Sequence, residues 1–426
     1  MKGAFGMNDH DQPGNVALDT HVTDLTITQA ERDVLRRLGE RVMALSTRQI
    51  EAEKKVLWTR KNALQASRPL ILCDPEFSWR EIIPEKTLEC AHTLARHWEH
   101  RLRKEIFWGE KMGDDRVVES RFTVGWVYKR TYWGPDTSSV NPQPTLKDLN
   151  DLSGLQFQTI TVNRDATTEV VHLAREVFDR VMPVKLREKW YWSLGLTREL
   201  IQLRGIEQYM RDIQENPEGV HNLMAFLRDG TLDLITFLEN AGLYSLNNEG
   251  DYIGSGGFGW TSQLPSRDYQ GTARAKDLWA LFESQDTKGL SPEQFDEFVL
   301  QYQKPVMDRF GLVCYGCCEP MSERWDLLKG IPNIRRVSVS PTCDRAKMAA
   351  ALQDKYVYSC RPNPAILSSS VFDEAAARQD VRDILEKAKG CHLEIIMKDH
   401  ETIQQDPARA IAWCNLAREE IARYFK

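Results

Sequence analysis

No apolar stretch in the sequence approaches the roughly 18 residues that a membrane-crossing helix needs. The opening residues, Met1 to Asn15, hold no apolar core of the kind a secretory leader carries. The chain is therefore expected to be cytoplasmic, with no membrane partner. Positive charge is not in excess either. Lys and Arg total 56 against 62 Asp and Glu, a formal net charge of −6, which leaves no electrostatic footprint for nucleic acid. The nine cysteines are odd in number, and in a reducing compartment they read as thiols or metal ligands, not as a disulfide frame. The Gly-rich stretch 247–260 has neither G-x-G-x-x-G spacing nor a Lys-Ser/Thr ending, so it is not read as binding a dinucleotide or a phosphate. A second C-x-x-C is missing, which removes the four-cysteine structural zinc pattern.

What is present is a chain of 426 residues, 42% hydrophobic, enough to bury a large core in one barrel-sized domain or in two or three smaller ones. Residues 1–25 are aperiodic and read as a flexible tail. Residues 26–66 carry helical periodicity, with Leu35, Leu38, Val42 and Leu45 on one face. A short strand over 68–73 runs into Asp74-Pro75, a helix follows over 85–107, and a β-prone stretch over 119–133 stops at Gly134-Pro135. Residues 135–150 read as a surface excursion. Helices are predicted over 166–180, 196–215 and 217–240, with strands over 181–186 and 243–247. Ser291-Pro292-Glu293-Gln294 is a capping box that starts a further helix. Strands over 311–316, 334–339, 355–360 and 391–397 then alternate with helices over 321–329, 344–353, 373–388 and 407–425. This alternation predicts a parallel sheet with covering helices, either closed into a barrel or open and doubly wound.

The strongest chemical signal is residues 311–320, where Cys314, Cys317 and Cys318 fall within five positions and Glu319 follows. They lie at the end of a predicted parallel strand, where α/β folds place their active sites. On a strand Cys314 and Cys318 would share a face, and Cys317 could join them only if the chain turns. Thiolates suit zinc, a Cys-x-x-Cys pair suits redox chemistry, and buried free thiols are common as packing. His400, between two carboxylates after the last strand, is the best-placed further ligand. Cys343 and Cys360 also fall near strand ends.

Asn247, Asn248 and Glu249 offer hydrogen-bond donors and an anionic base at another predicted strand end, where Glu249 could handle a proton. Asp74 ends the first strand in the same topological way. The 12 tryptophans group unevenly. Trp126 and Trp192, with Lys185 and neighbouring aromatics and cations, form a wall suited to a flat or anionic organic ligand or to a partner surface.

Several phrases resemble the uroporphyrinogen decarboxylase superfamily, nearer its branch of zinc-dependent, corrinoid-linked methyltransferases. They are residues 200–220, with Gly205-Ile206-Glu207 and Asn216-Pro217-Glu218; residues 291–299; residues 357–367, similar to a Gly-Asn-Val-x-Pro loop; and residues 406–413. The resemblance covers roughly 180–425. It implies a (β/α)8 TIM barrel with the pocket at the C-terminal strand ends. In the methyltransferase branch a His-x-Cys-Gly motif stands on the strand corresponding to 311–316, and a further Cys comes from a loop near the C-terminus. Here Cys318 matches the motif cysteine if Gly316 stands in place of the histidine, and His400 falls near the C-terminal ligand position. The decarboxylase branch uses no metal, and its Arg-rich N-terminal loop has no counterpart here.

The expectation is thus an α/β, (β/α)8 TIM barrel over 26–426, with 26–66 as an N-terminal helical extension. The function implied is a zinc-dependent methyltransferase, moving a methyl group between a small methylated compound and a thiol or a corrinoid (cobalamin) carried by a partner protein. Its metal ligands would be Cys314, Cys317, Cys318 and His400. Glu249 and Glu319 would be its catalytic carboxylates, and Asp74, Trp126, Lys185, Trp192, Asn247 and Asn248 its substrate contacts. A metal-free decarboxylase or lyase, with cationic pocket residues in place of thiols, is the first alternative. A non-catalytic barrel subunit bound to an enzyme partner is the second. A homodimer could form through the aromatic N-terminal region.

Overall fold

A computed structural model describes residues 25–134, 144–254 and 256–424. The tail over 1–25 and the surface excursion over 135–150 fall largely outside the described residues. The strands are β1 (Leu70–Cys73), β2 (Phe122–Val124), β3 (Tyr128–Arg130), β4 (Ile160–Val162), β5 (Val184–Leu186), β6 (Trp279–Phe282), β7 (Leu312–Tyr315), β8 (Ile334–Val339), β9 (Val357–Cys360) and β10 (His392–Met397). Six of them form one sheet in the order β1-β10-β9-β8-β7-β6, parallel at every pairing, with Leu70 beside Glu394 and Arg336 beside Val357. β2 pairs with β5 in parallel, and β3 with β4 antiparallel. The fold is thus mixed α/β around a six-stranded parallel sheet, and no described helix is long and apolar enough to cross a membrane.

From residue 312 onward, strands and helices follow the predicted order with boundaries shifted by a residue or two. The helix over Pro217–Asn240 starts at Asn216, whose side chain accepts from Gly219 N, with Pro217 in the first turn. Several expectations differ. The helix expected over 196–215 is two helices, Thr197–Arg204 and Ile206–Glu215, divided at Gly205, and β4 was not predicted. The N-terminal helix is two helices, Gln29–Ser46 and Gln49–Asn62, broken at Thr47-Arg48. Residues 243–247 form no strand, because the Asn247 side chain takes over the pairing. Its Nδ2 donates to Trp279 O and its Oδ1 accepts from Trp279 N, both at 2.9 Å. Conversely, β6 occupies a stretch where no strand was predicted.

The ladder ends at β1 and β6, and isolated hydrogen bonds join the segments that flank them. Asp115 N donates to Ile71 O beside β1. β2 and β5 form a separate two-stranded sheet. Arg187 then reaches Leu246 O, and Trp190 Nε1 donates to Leu243 O at 3.0 Å. The six-stranded parallel sheet is compatible with a barrel-like α/β fold.

Side chains alternate between the two faces of the sheet, as strand geometry requires. Ile71, Cys73, Ile395, Met397, Val337, Val339, Val313, Tyr315 and Phe282 join the main core under the covering helices. Leu70, Leu72 and Ile396, and likewise Trp279, Leu281, Leu312 and Cys314, belong to separate clusters on the other face. The Gly-rich loop is pressed against that inner face. A Cβ at Gly256 would fall 2.3 Å from Ile396 Cγ2, and one at Gly254 would fall 2.7 Å from Cys314 Sγ. Both have positive φ, +138° and +70°, so glycine is required for backbone shape and for close approach. The helix over Gln49–Asn62 holds the loop, with Asn62 Nδ2 donating to Phe258 O and Trp260 O. The N-terminal helix packs Leu35, Leu38, Val42 and Leu45 into a second core with Trp98, Leu102, Phe122 and Phe178. Its expected apolar face is therefore the buried one.

Candidate active site

All six sheet strands point the same way, so one edge collects the residues that follow them, and in parallel α/β proteins that edge is where ligands bind. In sheet order it carries Asp74 and Glu76; Lys398, Asp399 and His400; Arg361; Ser340; Cys317, Cys318 and Glu319; and Glu283 with Ser284. These side chains form a linked row. Lys398 Nζ lies 2.8 Å from Glu76 Oε1, and Asp399 N donates to Glu76 Oε2 at 2.6 Å. Asp399 pairs with the buried guanidinium of Arg361. Arg361 Nη2 sits 3.7 Å from Cys318 Sγ, which lies 3.7 Å from Cys317 Sγ.

Local backbone explains how the cysteines divide. β7 stops at Tyr315, and Gly316 turns the chain with φ +102°. A Cβ there would lie 3.3 Å from Met321 and from Ser338, so the position suits glycine and disfavours the histidine expected from the resemblance. After the turn, Cys317 joins Cys314 in the inner apolar cluster, while Cys318 is exposed on the rim. The Cys317 contact lowers the Cys318 pKa, burial opposes, and Arg361 adds to the lowering. The same contact, with burial, pushes the Cys317 thiol well up. Cys314 lies under Gly254 and Leu281. His400 is buried and neither ring nitrogen makes a hydrogen bond; burial lowers its pKa against the opposing charge of Asp74. Among the described residues no three His, Cys, Asp or Glu side chains converge into a group that could hold a metal ion. Cys314, Cys317, Cys318 and His400 therefore do not form the expected zinc ligand set in this arrangement. Cys317 and Cys318 are brought together.

Glu319 is buried and its oxygens are occupied. Oε1 accepts from Ser284 N (2.9 Å) and Ser284 Oγ (3.2 Å), and Oε2 from Cys317 N (2.8 Å). It clamps the ends of β6 and β7. Beside it, Glu283 was not foreseen, because it follows the unpredicted β6; the signal was the four-residue apolar run 279–282 ending in an acid. Burial, then Asp286 and Glu319, push its pKa well up. Its Oε1 accepts from Ser193 Oγ at 3.1 Å, and it lines a cavity of about 80 Å³ with Arg130, Tyr191, Trp192 and Arg198.

Arg130, Tyr191 and Trp192 also line a groove of about 470 Å³ between the helix over Thr93–Phe107 and the Gly-rich loop. Its wall carries seven Arg and Lys side chains and four carboxylates. Arg101 donates to Thr123 O and Oγ1 at 2.8 Å. Arg121 pairs with Glu119 and Glu249, and Arg187 with Asp251. The Nε atoms of Arg121 and Arg130 are buried without a hydrogen-bond partner. Burial, then Arg101, pushes His97 down to about 3; burial, then Lys104, pushes His100 down to about 4. Of the expected substrate contacts, Trp192 and Asn247 line this groove. Glu249 is tied to Arg121 beside it, and despite burial that hydrogen bond lowers its pKa. Lys185, exposed on β5, and Trp126, under Arg164 at 5.4 Å, are not in its lining. Asn248 donates to Leu264 O at 2.8 Å. Asp74 belongs to the rim beside His400.

No known protein family and no curated protein matches the sequence. Among solved structures, the chain is similar to a methyltransferase from Methanosarcina mazei, with 10% identity over 89% of this chain and 99% of that one, at a TM-score of 0.44. That likeness is too slight to carry a statement about chemistry.

Proposed function

We propose that the chain is a closed (β/α)8-barrel methyltransferase that moves a methyl group between a small methylated compound and a thiol or a partner's corrinoid, with Cys318 as the reacting sulfur. What supports this reading is the exposed Cys318 at the C-terminal strand edge, 3.7 Å from both Cys317 Sγ and Arg361 Nη2. A sulfur held as thiolate is the soft nucleophile that an sp³ methyl carbon requires. The methyl–heteroatom bond breaks as the carbon–sulfur bond forms, and the departing heteroatom takes a proton from water; the acceptor thiolate or cob(I)alamin then attacks that methyl carbon, the carbon–sulfur bond breaks and the Cys318 thiolate is restored.

Zinc would supply Lewis acidity if bound, but the described residues give it the Cys317–Cys318 sulfurs without a third His, Cys, Asp or Glu. The metal content of protein purified without added zinc tests that expectation directly. For the reaction, the full chain is incubated with ¹⁴C-methyl O-, N- and S-methyl compounds and with cob(I)alamin or a free thiol as acceptor. Label should pass to the acceptor and be lost in Cys318→Ser. Transfer unchanged in that variant refutes the role of Cys318.

A second reading, a metal-free decarboxylase, is favoured by the groove's arginines, which suit carboxylates. Release of ¹⁴CO₂ from labelled aromatic acids, unaffected by Cys318→Ser and lost in Arg130→Gln, would select it.

A further inference from the structure

The adjacency of Cys317 and Cys318 has a chemical consequence independent of methyl transfer. Their sulfurs lie 3.7 Å apart, one is exposed and the other buried, and the Arg361 guanidinium faces the exposed one at 3.7 Å. An accessible cysteine with a second thiol within reach and a cation beside it is the arrangement that thiol–disulfide exchange uses, an attacking sulfur followed by a resolving one. The chain contains a contrasting pair. Cys73 and Cys414 also touch, but both are fully buried, so no external disulfide can reach them.

We propose that Cys317–Cys318 is a reversible modification site for low-molecular-weight disulfides, in which Cys318 reacts first as the attacking sulfur and Cys317 resolves the adduct into a vicinal disulfide. In the first step the Cys318 sulfur, as thiolate, attacks one sulfur of the external disulfide. A Cys318–S bond forms, the external S–S bond breaks, and one thiolate leaves. In the second step the Cys317 sulfur attacks Cys318 Sγ, releasing the second external thiol, and the Cys317 proton passes to a departing thiolate. Two protein sulfurs are oxidised by two electrons and one external disulfide is reduced to two thiols. Adjacent residues have Cα atoms about 3.8 Å apart, short of the roughly 4.4–6.8 Å usual for disulfides. The product is therefore strained and readily reduced again. Oxidation would remove the free sulfur from the rim and release its contact with Arg361.

The test uses the folded full-length chain treated with oxidised glutathione, then alkylated and mapped by mass spectrometry. Expected is a 311–320 peptide that loses both alkylation sites, carries no glutathione, and regains both sites after mild reduction, while Cys73 and Cys414 stay unoxidised. Cys317→Ser should instead trap glutathione on Cys318, and Cys318→Ser should trap none at 317. Glutathione persisting on Cys318 in the unsubstituted chain would overturn the proposal, as would full alkylation of both cysteines or equal oxidation of the Cys73–Cys414 pair. Loss of methyl transfer in Cys318→Ser would not bear on this outcome, so the two readings can fail separately.

Discussion

Replacing Glu319 with alanine separates a structural clamp from a catalytic acid. The carboxylate accepts from two backbone N–H groups, Ser284 and Cys317, and from the Ser284 hydroxyl, all buried. A buried donor left without an acceptor costs about 1–3 kcal/mol, so two orphaned N–H groups cost about 2–6 kcal/mol. The Ser284 hydroxyl can turn elsewhere, and Arg324 keeps bonds to Ser284 O, Ser284 Oγ and Thr287 O. Relief of carboxylate desolvation offsets part of the loss. A net destabilisation of about 3–4 kcal/mol is expected, a large share of the roughly 5–15 kcal/mol that holds a domain folded. Glu319→Gln keeps one carbonyl acceptor and turns an NH₂ toward the other donor, so about half that loss is expected. Urea unfolding followed by tryptophan fluorescence reads both variants, with the midpoint falling and the slope unchanged. A loss below about 1 kcal/mol for Glu319→Ala would refute the clamp, since it would mean that the two N–H groups do not depend on this carboxylate.

Three further outcomes follow from the same geometry. Gly256→Ala places a Cβ 2.3 Å from Ile396 at φ +138°, which should cost about 2–4 kcal/mol and lift the loop; Cys314, protected in the unsubstituted chain, should then alkylate. Glu283 has its folded pKa raised by burial and by Asp286 and Glu319, so its contribution is full below the ordinary carboxylate pKa of about 4.3 and is lost as pH rises from there toward the folded value. Glu283→Gln should therefore gain stability relative to the unsubstituted chain as pH climbs above about 4.3, and parallel pH profiles in urea melts would contradict a raised Glu283 pKa. Arg130→Gln should weaken binding of an aromatic carboxylate to the groove about tenfold or more, the value of one charge-assisted hydrogen bond, as read by quenching of the lining tryptophans. Equal affinity in the two proteins would place the anion elsewhere.

How much of this was legible in the sequence depended on the range of the signal. Helices with caps and 3.6-residue periodicity were readable because both are local: Asn216-Pro217, Ser291 with Gln294, and the Leu35–Leu45 face each mark themselves. The strand run after residue 311 was readable because its helices punctuate it. β6 was missed because Trp279–Phe282 is four apolar residues with no alternation, and Glu283, the rim acid that follows it, was missed with it. Residues 243–247 misled for the opposite reason, since a side-chain amide can occupy a strand's hydrogen-bonding edge without the backbone becoming a strand. The groove drew on residues from 42 to 281, and no spacing rule reaches that far.

The same distinction bears on the cysteines. Their clustering at a strand end was a sequence fact, but which sulfurs can act together depended on one torsion at Gly316. With φ at +102°, the chain leaves the strand before Cys317, so the alternation that would have put Cys314 and Cys318 on one face no longer applies. Cys314 stays inside beneath the Gly-rich loop, whose glycines are there to let it approach. Cys318 is carried outward to Arg361, a residue whose guanidinium is fixed by Asp399 on the neighbouring strand end. The rim thus presents one exposed sulfur backed by one buried sulfur and one fixed cation. That set favours chemistry at Cys318 over a shared three-thiol ligand site, and the position of Gly316 is its physical cause.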